Sequence, residues 1–398
     1  MKFTKMSLVA ALLIGSSAFA IENVKVSGDA KLFYSTQNDT NANADADLLD
    51  KSSSTGEAAI AVGITADLTE GISAGATLNG ITTLGLYNNL VSSTWTGGTE
   101  DSFVFSEAWL AGTAGKTTGK IGRMQLDTPL VFSETWSVIP STFESAVVIN
   151  QDIPDTTLVG AYVGQYNGQA ILGGGLDNNS SSFVSFYKGA YAVGAINNSF
   201  KPLTAQAWYF DATQTVKAYW LQADLEMSGL SFGAQYTSQE AQATGSDTQS
   251  AYALKVGYAM EDAFAVSAAF SQVDDKQGMP NVGANYAGSQ SKLYTEAWWY
   301  YGMVSKPDTQ SFNVTATTAL AGVDLGLYYT QATTNKGFTG GVKDSDFAEA
   351  TFEVAKSFGP LDAGLYYIYT KSDLDNQKSP TETGDAYNTV QVYLTYNF

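Results

Sequence analysis

Apolar residues recur at every second position through most of this chain. Ile60, Val62, Ile64, Ala66 and Leu68 lead into Thr69-Glu70-Gly71, and Ile72, Ala74, Ala76 and Leu78 lead out. Period-two alternation flanking a Gly-bearing link predicts a β-hairpin. The design returns around Met227-Ser228-Gly229, Met260-Glu261-Asp262, Ala321-Gly322 and Ser357-Phe358-Gly359-Pro360. One face of these segments carries Ala, Val, Leu and aromatics, and the other Lys, Gln, Ser, Thr, Asp and Gly. Between the short links lie long polar ones, such as 36–56, 88–101, 237–249, 274–291 and 333–346.

A soluble sandwich also alternates, with its oily face inward. Three features favour a barrel in lipid. Short turns on one side and long loops on the other are the pattern of outer-membrane barrels. Aromatic clusters at Trp208-Tyr209-Phe210, Trp298-Trp299-Tyr300-Tyr301 and Tyr366-Tyr367 fall near strand ends and are expected to form interfacial girdles. The final TVQVYLTYNF places Val390, Val392, Leu394, Tyr396 and Phe398 on one face, with Tyr393 the aromatic out of pattern. An open sheet edge is intolerable in lipid, so this strand is expected to pair with the first one, near 24–32. Tyr396 and Phe398 are expected to serve as the signal read by the barrel-assembly machinery. With about 9–11 residues per tilted strand, 16–18 antiparallel strands fit, and an even 18 is preferred. A barrel of that size encloses an aqueous lumen.

The first 20 residues read as a signal peptide: Lys2 and Lys5, an apolar run from Leu8 to Ile14, and Ala18-Phe19-Ala20 at the cleavage site. Residues 21–398 are then the barrel. Removing the leader takes two lysines and no acid from a chain whose net charge is already −19. Such acidity argues against nucleic acid as a partner and favours attraction of cations. The chain has no Cys and no His. Disulfides, thiolate nucleophiles, Ser-His-Asp triads and His-ligated zinc are therefore excluded, and no enzyme is expected.

One segment breaks the alternation. From about 125 to 154, Pro129, Pro140 and Pro154 supply three of the eight prolines, among Leu130, Val131, Phe132, Trp136, Val138, Ile139, Phe143, Val147, Val148 and Ile149. Proline cannot donate to a central ladder, yet a loop in water has no use for so much apolar surface. The reading is a loop folded into the barrel as a constriction; the alternative is an external loop or a subunit contact. Arg123, the sole arginine, opens the segment, with Asp127, Glu134, Glu144, Asp152 and Asp155 close by. Arg123, Asp127, Glu134, Glu144 and Asp152 are expected to line the constriction, since facing charges are how such pores select ions.

The MKFTKMSLVAALLIG start, the GRMQLDTPLVFSETWSVIPSTFESAVVINQDIP block, the stretch LYTEAWWYYGMV from Leu293 to Val304 and the YLTYNF end together resemble the Campylobacter-type major outer membrane protein family of epsilonproteobacterial porins. The central block is also similar to the loop region of the substrate-specific porins of pseudomonads. The resemblance implies an 18-stranded barrel in the outer membrane of a Gram-negative bacterium. It is usually a homotrimer that passes cations and small hydrophilic solutes by passive diffusion, with outer-membrane lipid around it. No cofactor is expected beyond a possible structural Ca²⁺, for which the resemblance offers Asp127, Asp152 and Glu296. Two rival expectations stand beside the cation-preferring pore. One is a substrate-selective channel with a binding site at its constriction, and the other a surface-structural or adhesive barrel.

Overall fold

The computed structural model describes residues 21–38, 47–96, 101–167, 183–261, 263–336, 345–372 and 386–398. The signal-peptide expectation for 1–20 lies outside them. The described residues form one 18-stranded antiparallel sheet closed on itself. In chain order the strands are β1 (Glu22–Gln37), β2 (Ser54–Thr69), β3 (Ile72–Thr82), β4 (Ser102–Ala114), β5 (Thr117–Met124), β6 (Phe143–Asn150), β7 (Thr156–Tyr166), β8 (Val184–Asn197), β9 (Leu203–Ala212), β10 (Val216–Met227), β11 (Leu230–Ala241), β12 (Thr248–Met260), β13 (Phe264–Val273), β14 (Thr309–Leu320), β15 (Val323–Thr334), β16 (Ser345–Phe358), β17 (Leu361–Ser372) and β18 (Ala386–Asn397).

Each strand pairs with its sequence neighbour, and β1 closes on β18 from Asp29 opposite Asn397 to Gln37 opposite Thr389. Gly28 and Phe398 complete the seam with reciprocal backbone hydrogen bonds of 2.9 Å. A Cβ on Gly28 would stand 2.2 Å from the carbonyl oxygen of Ala61 and 2.6 Å from the Phe398 ring. Only glycine fits beneath that ring. The tightest hairpins use left-handed pairs, Ser228-Gly229 (φ 54° and 82°) and Ala321-Gly322 (φ 53° and 73°). Two positive φ values in a two-residue link match the twist of the strands on either side.

Alternation puts the apolar set outward. Val62, Leu78, Leu110, Val193, Leu221, Leu254, Leu327 and Leu365 are all exposed. In water so continuous an apolar belt would be a liability; around a closed barrel it is the lipid-facing surface. Outward Tyr219, Tyr236, Tyr252, Tyr329 and Tyr367 lie toward the long-loop end, and Tyr258, Phe264, Phe358, Tyr396 and Phe398 toward the short-turn end. The expected girdle clusters split between faces, because adjacent residues of a strand point oppositely. Tyr209 and Tyr367 face out, while Trp208, Phe210 and Tyr366 face in; Trp298 to Tyr301 belong to no strand. Tyr393 also faces the lumen, next to inward Phe33.

Candidate functional site

Two long connections fold into the lumen. In the 125–142 segment Pro129 and Pro140 forbid a ladder, so its apolar side chains seek the inner wall instead. Leu130 and Val131 pack among Phe143, Phe186, Trp208 and Trp220. Val138 and Ile139 pack among Phe33, Ile81 and Val104 on the opposite arc. The segment therefore spans the lumen. Leu130 and Ile139 are fully buried, worth about 1.5–3 kcal/mol each.

The 274–308 segment lies against the first. Phe132 N–H donates to Asn285 Oδ1 at 3.2 Å, Asn285 Nδ2 donates back to the Phe132 carbonyl at 2.9 Å, and Tyr286 N–H donates to the Leu130 carbonyl at 2.8 Å. Glu134 binds the two segments together. Its Oε1 accepts from Ser289 N–H and Gln290 N–H, each at 2.8 Å, and from Asn285 Nδ2 at 3.1 Å; its Oε2 accepts from Trp136 Nε1 at 3.0 Å. Asp127 pairs with Lys292 across the same junction. Trp95, Trp136 and Trp299, from three different connections, meet edge to face at 5.2–6.3 Å.

Wall carboxylates hold these connections in place. Glu57 on β2 accepts from Thr96 N–H at 3.0 Å, Thr96 Oγ1 at 2.6 Å and Ser137 Oγ at 3.3 Å. Glu349 on β16 accepts from Trp299 N–H at 2.9 Å and Tyr300 N–H at 2.8 Å. Within the 274–308 segment, Glu296 accepts from the N–H groups of Ser291, Ala297 and Gly302 at 2.6–3.1 Å. Loss of water raises its carboxyl to about 8, against the pull of those donors. Irregular backbone inside a lumen needs partners for its N–H groups, and carboxylates supply strong ones.

The passage left open is polar and aromatic. Tyr294 donates to Asp224 of β10 at 2.5 Å and lies under Lys255 of β12. Burial and Asp224 push its phenol well above the ordinary value. Trp298 stacks on Tyr366 with centroids 4.4 Å apart. Glu353 accepts from Tyr328 at 2.6 Å and from Tyr366 at 3.1 Å. Tyr393 donates to the carbonyl of Trp136 at 3.3 Å. Where the two in-folded segments meet the wall of β15–β18, a recess of about 470 Å³ remains. Across the lumen Gln125 donates to Glu107 at 2.9 Å, and Lys120 covers the Trp109 ring.

Residues 7–305 match the family model of the Gram-negative porin. The chain belongs to the Gram-negative porins. As such it is a non-enzymatic channel protein of the outer membrane. No curated protein sequence matches it. Among solved structures, Pseudomonas aeruginosa OccK3 (OpdO) is 14% identical with a TM-score of 0.72, the match covering 95% of this chain and 96% of that one. P. aeruginosa OpdK with vanillate is 12% identical with a TM-score of 0.73, covering 95% and 99%. A BenF-like porin from Pseudomonas fluorescens Pf-5 is 13% identical with a TM-score of 0.74, again covering 95% and 99%. These likenesses show a shared fold.

The porin brings together only part of the expected constriction set. Asp127 and Glu134 sit at the junction of the in-folded segments. Arg123 and Glu144 do pair, at 2.8 Å, with a second bond from Arg123 Nη1 to the Phe105 carbonyl at 2.6 Å. They pair on the wrong face for a constriction. Arg123 follows outward Ile121 by two positions and lies opposite Ala108, and its neighbours Met124 and Phe143 are the ones buried inside. The guanidinium rests on Phe183, turned away from the lumen. The constriction also ends earlier than 154, because residues 143–150 are β6 and Asp152 lies in the short β6–β7 turn, bonded to Asn150. Asp127, Asp152 and Glu296 thus occupy separate places. The described residues hold no group of three or more carboxylates suited to a metal, so the Ca²⁺ set is not assembled. The alternation did not reveal the 274–308 segment as a lumenal element, Glu349 as its support, or Glu57 as a support of the 125–142 segment through Ser137.

Proposed function

We propose that this porin is a cation-preferring channel for passive diffusion of ions and small hydrophilic solutes, working as a homotrimer. The supporting observation is the charge of the lumenal face. Asp29, Asp67, Glu107, Asp224, Glu226, Asp324, Glu353 and Asp362 point inward, against Lys25, Lys31, Lys120 and Lys255. Among those lysines, Lys31 is matched by Asp29 at 3.5 Å, while Lys120 and Lys255 rest on aromatic rings. Inside a low-dielectric wall the surplus carboxylates raise the local concentration of cations. Residues 1–20 act as the export signal in this reading, and outward Tyr396 and Phe398 offer the closing strand to the assembly machinery. The resemblance to the Campylobacter-type major outer membrane proteins agrees with a cation-preferring trimer. The residues offered for Ca²⁺ do not converge, and no metal enters this reading.

The test is single-channel recording of detergent-folded protein in planar bilayers under a KCl gradient. Stable steps in groups of three, with a reversal potential favouring K⁺ over Cl⁻, are expected. Verified folded protein that does not conduct would overturn the channel and favour the adhesive alternative. A reversal potential favouring Cl⁻ would overturn the cation preference alone.

A further inference from the structure

The recess at β15–β18 has a chemistry more specific than that of an open pore. It is lined by Trp298 and Tyr301 from the 274–308 segment, by Tyr366 and Tyr393 from the wall, and by the carboxylates Asp324 and Asp362. Its volume of about 470 Å³ falls within the range of about 300–1,000 Å³ usual for small-molecule sites. Both in-folded segments contribute to it, Thr135 and Trp136 from the first and Gln290 from the second. It is therefore part of the constriction itself.

We propose that this recess is a binding site for small organic cations, such as quaternary ammonium and alkylammonium solutes. This deepens the channel reading above and rests on it. Three observations carry the assignment. First, π faces attract cations, and a cage of several rings is the usual way proteins hold a quaternary ammonium that has no N–H to donate. Second, the charged groups that the wall strands turn into it, Asp324 and Asp362, are acceptors. Asp362 is fixed by Ser357 Oγ and by Asn397 Nδ2 at 3.0 Å, and Glu353 stands behind Tyr366 and Tyr328, taking both phenolic protons. A phenol that donates to a carboxylate has its ring made more electron-rich, which strengthens a cation–π contact. Third, the lysines beside the recess among the described residues are turned away or already paired. Lys356 lies opposite outward-facing Ala363 and extends over the Phe358 ring at 5.4 Å, away from the lumen, and inward Lys31, opposite Thr395 at the rim, is engaged by Asp29 at 3.5 Å. An anionic solute would meet the carboxylates of Asp324 and Asp362, while the nearby Lys31 is already matched by Asp29. A neutral sugar would gain the rings but leave those carboxylates without a countercharge.

Tetramethylammonium chloride is the probe, added during K⁺ current recording through the full-length folded protein. Saturable block by tetramethylammonium is expected, while glucose and acetate at equal concentration leave the current unchanged. Tyr366→Leu, which removes a ring, and Asp362→Asn, which removes the charge, should each weaken the block about tenfold, in line with the size of a desolvated cation–π contact. Tyr366→Phe, which keeps the ring, should weaken it far less. A linear, non-saturating response to tetramethylammonium, or equal block by glucose, would overturn the site while leaving the channel standing. Calorimetric titration of tetramethylammonium into the same folded protein separates the two readings. Heat that saturates in the wild type and is lost in Tyr366→Leu supports the recess even where conductance fails, and no saturable heat rejects it.

Discussion

Arg123 shows how much the face of a strand decides. The same ion pair with Glu144 would tune selectivity inside the lumen, but on the outer wall it ties β5 to β6 beside Phe105 and Phe183. Arg123→Ala is therefore expected to leave the reversal potential unchanged. It should lower stability by about 1.5–3 kcal/mol, the worth of a charged hydrogen bond, seen as earlier unfolding of the barrel on heating in detergent. A shift in K⁺ over Cl⁻ preference in this variant would count against the outward placement. The face was legible from the sequence: Arg123 shares parity with Ile121, and Ile121 belongs to the apolar set. What obscured it was the proline-bearing segment that begins just afterwards, which drew the arginine into its reading. Tyr393 is the converse case. It broke the apolar alternation of the last strand because it belongs to the other face.

At the scale of elements, the two in-folded segments are held by carboxylates, and each can be released by a small change. Glu134→Gln keeps the shape but replaces an acceptor oxygen by a donor, so it cannot accept from Ser289, Gln290, Asn285 and Trp136 together. At about 1.5–3 kcal/mol per charged hydrogen bond lost, the segments should separate more often. The expected result is larger unit conductance with frequent flicker and weaker ion preference. Glu296 gives a pH dependence. Its carboxyl is raised to about 8 in the docked segment, above the usual carboxylate value, so the docked form binds the proton more tightly than the loosened one. This contribution is complete below the ordinary carboxylate pKa and is lost as pH rises through about 8. Current noise should then grow as pH rises from about 5 to about 8 and lose that pH dependence in Glu296→Gln. The 125–142 segment was legible because prolines sit among apolar residues there. The 274–308 segment was not, because Trp298-Trp299-Tyr300-Tyr301 reads equally well as a girdle, and only long-range pairing with 125–142 distinguishes the two.

For the molecule as a whole, closure follows from the seam. Gly28 has backbone and the Phe398 ring against its α-carbon, so Gly28→Leu should obstruct the pairing of β1 with β18. The expected outcome is a severalfold fall in folded, heat-modifiable protein in the outer membrane, with normal export; full assembly of this variant would show that the seam tolerates a side chain. The strand count and the closed sheet were readable because alternation and turn chemistry are local. The bore of the channel was not, since it depends on which side chains meet across the lumen.

Tyr393 has one more consequence, for the order in which the pore is made. It stands on the closing strand and donates to the carbonyl of Trp136 in the segment that crosses the lumen, and Phe33, on the strand it closes against, packs with the same segment. The seat for the crossing segment is completed only when the two ends of the sheet come together. Sealing the wall and setting the bore are then one event, and a half-built barrel lacks the filter of the finished one.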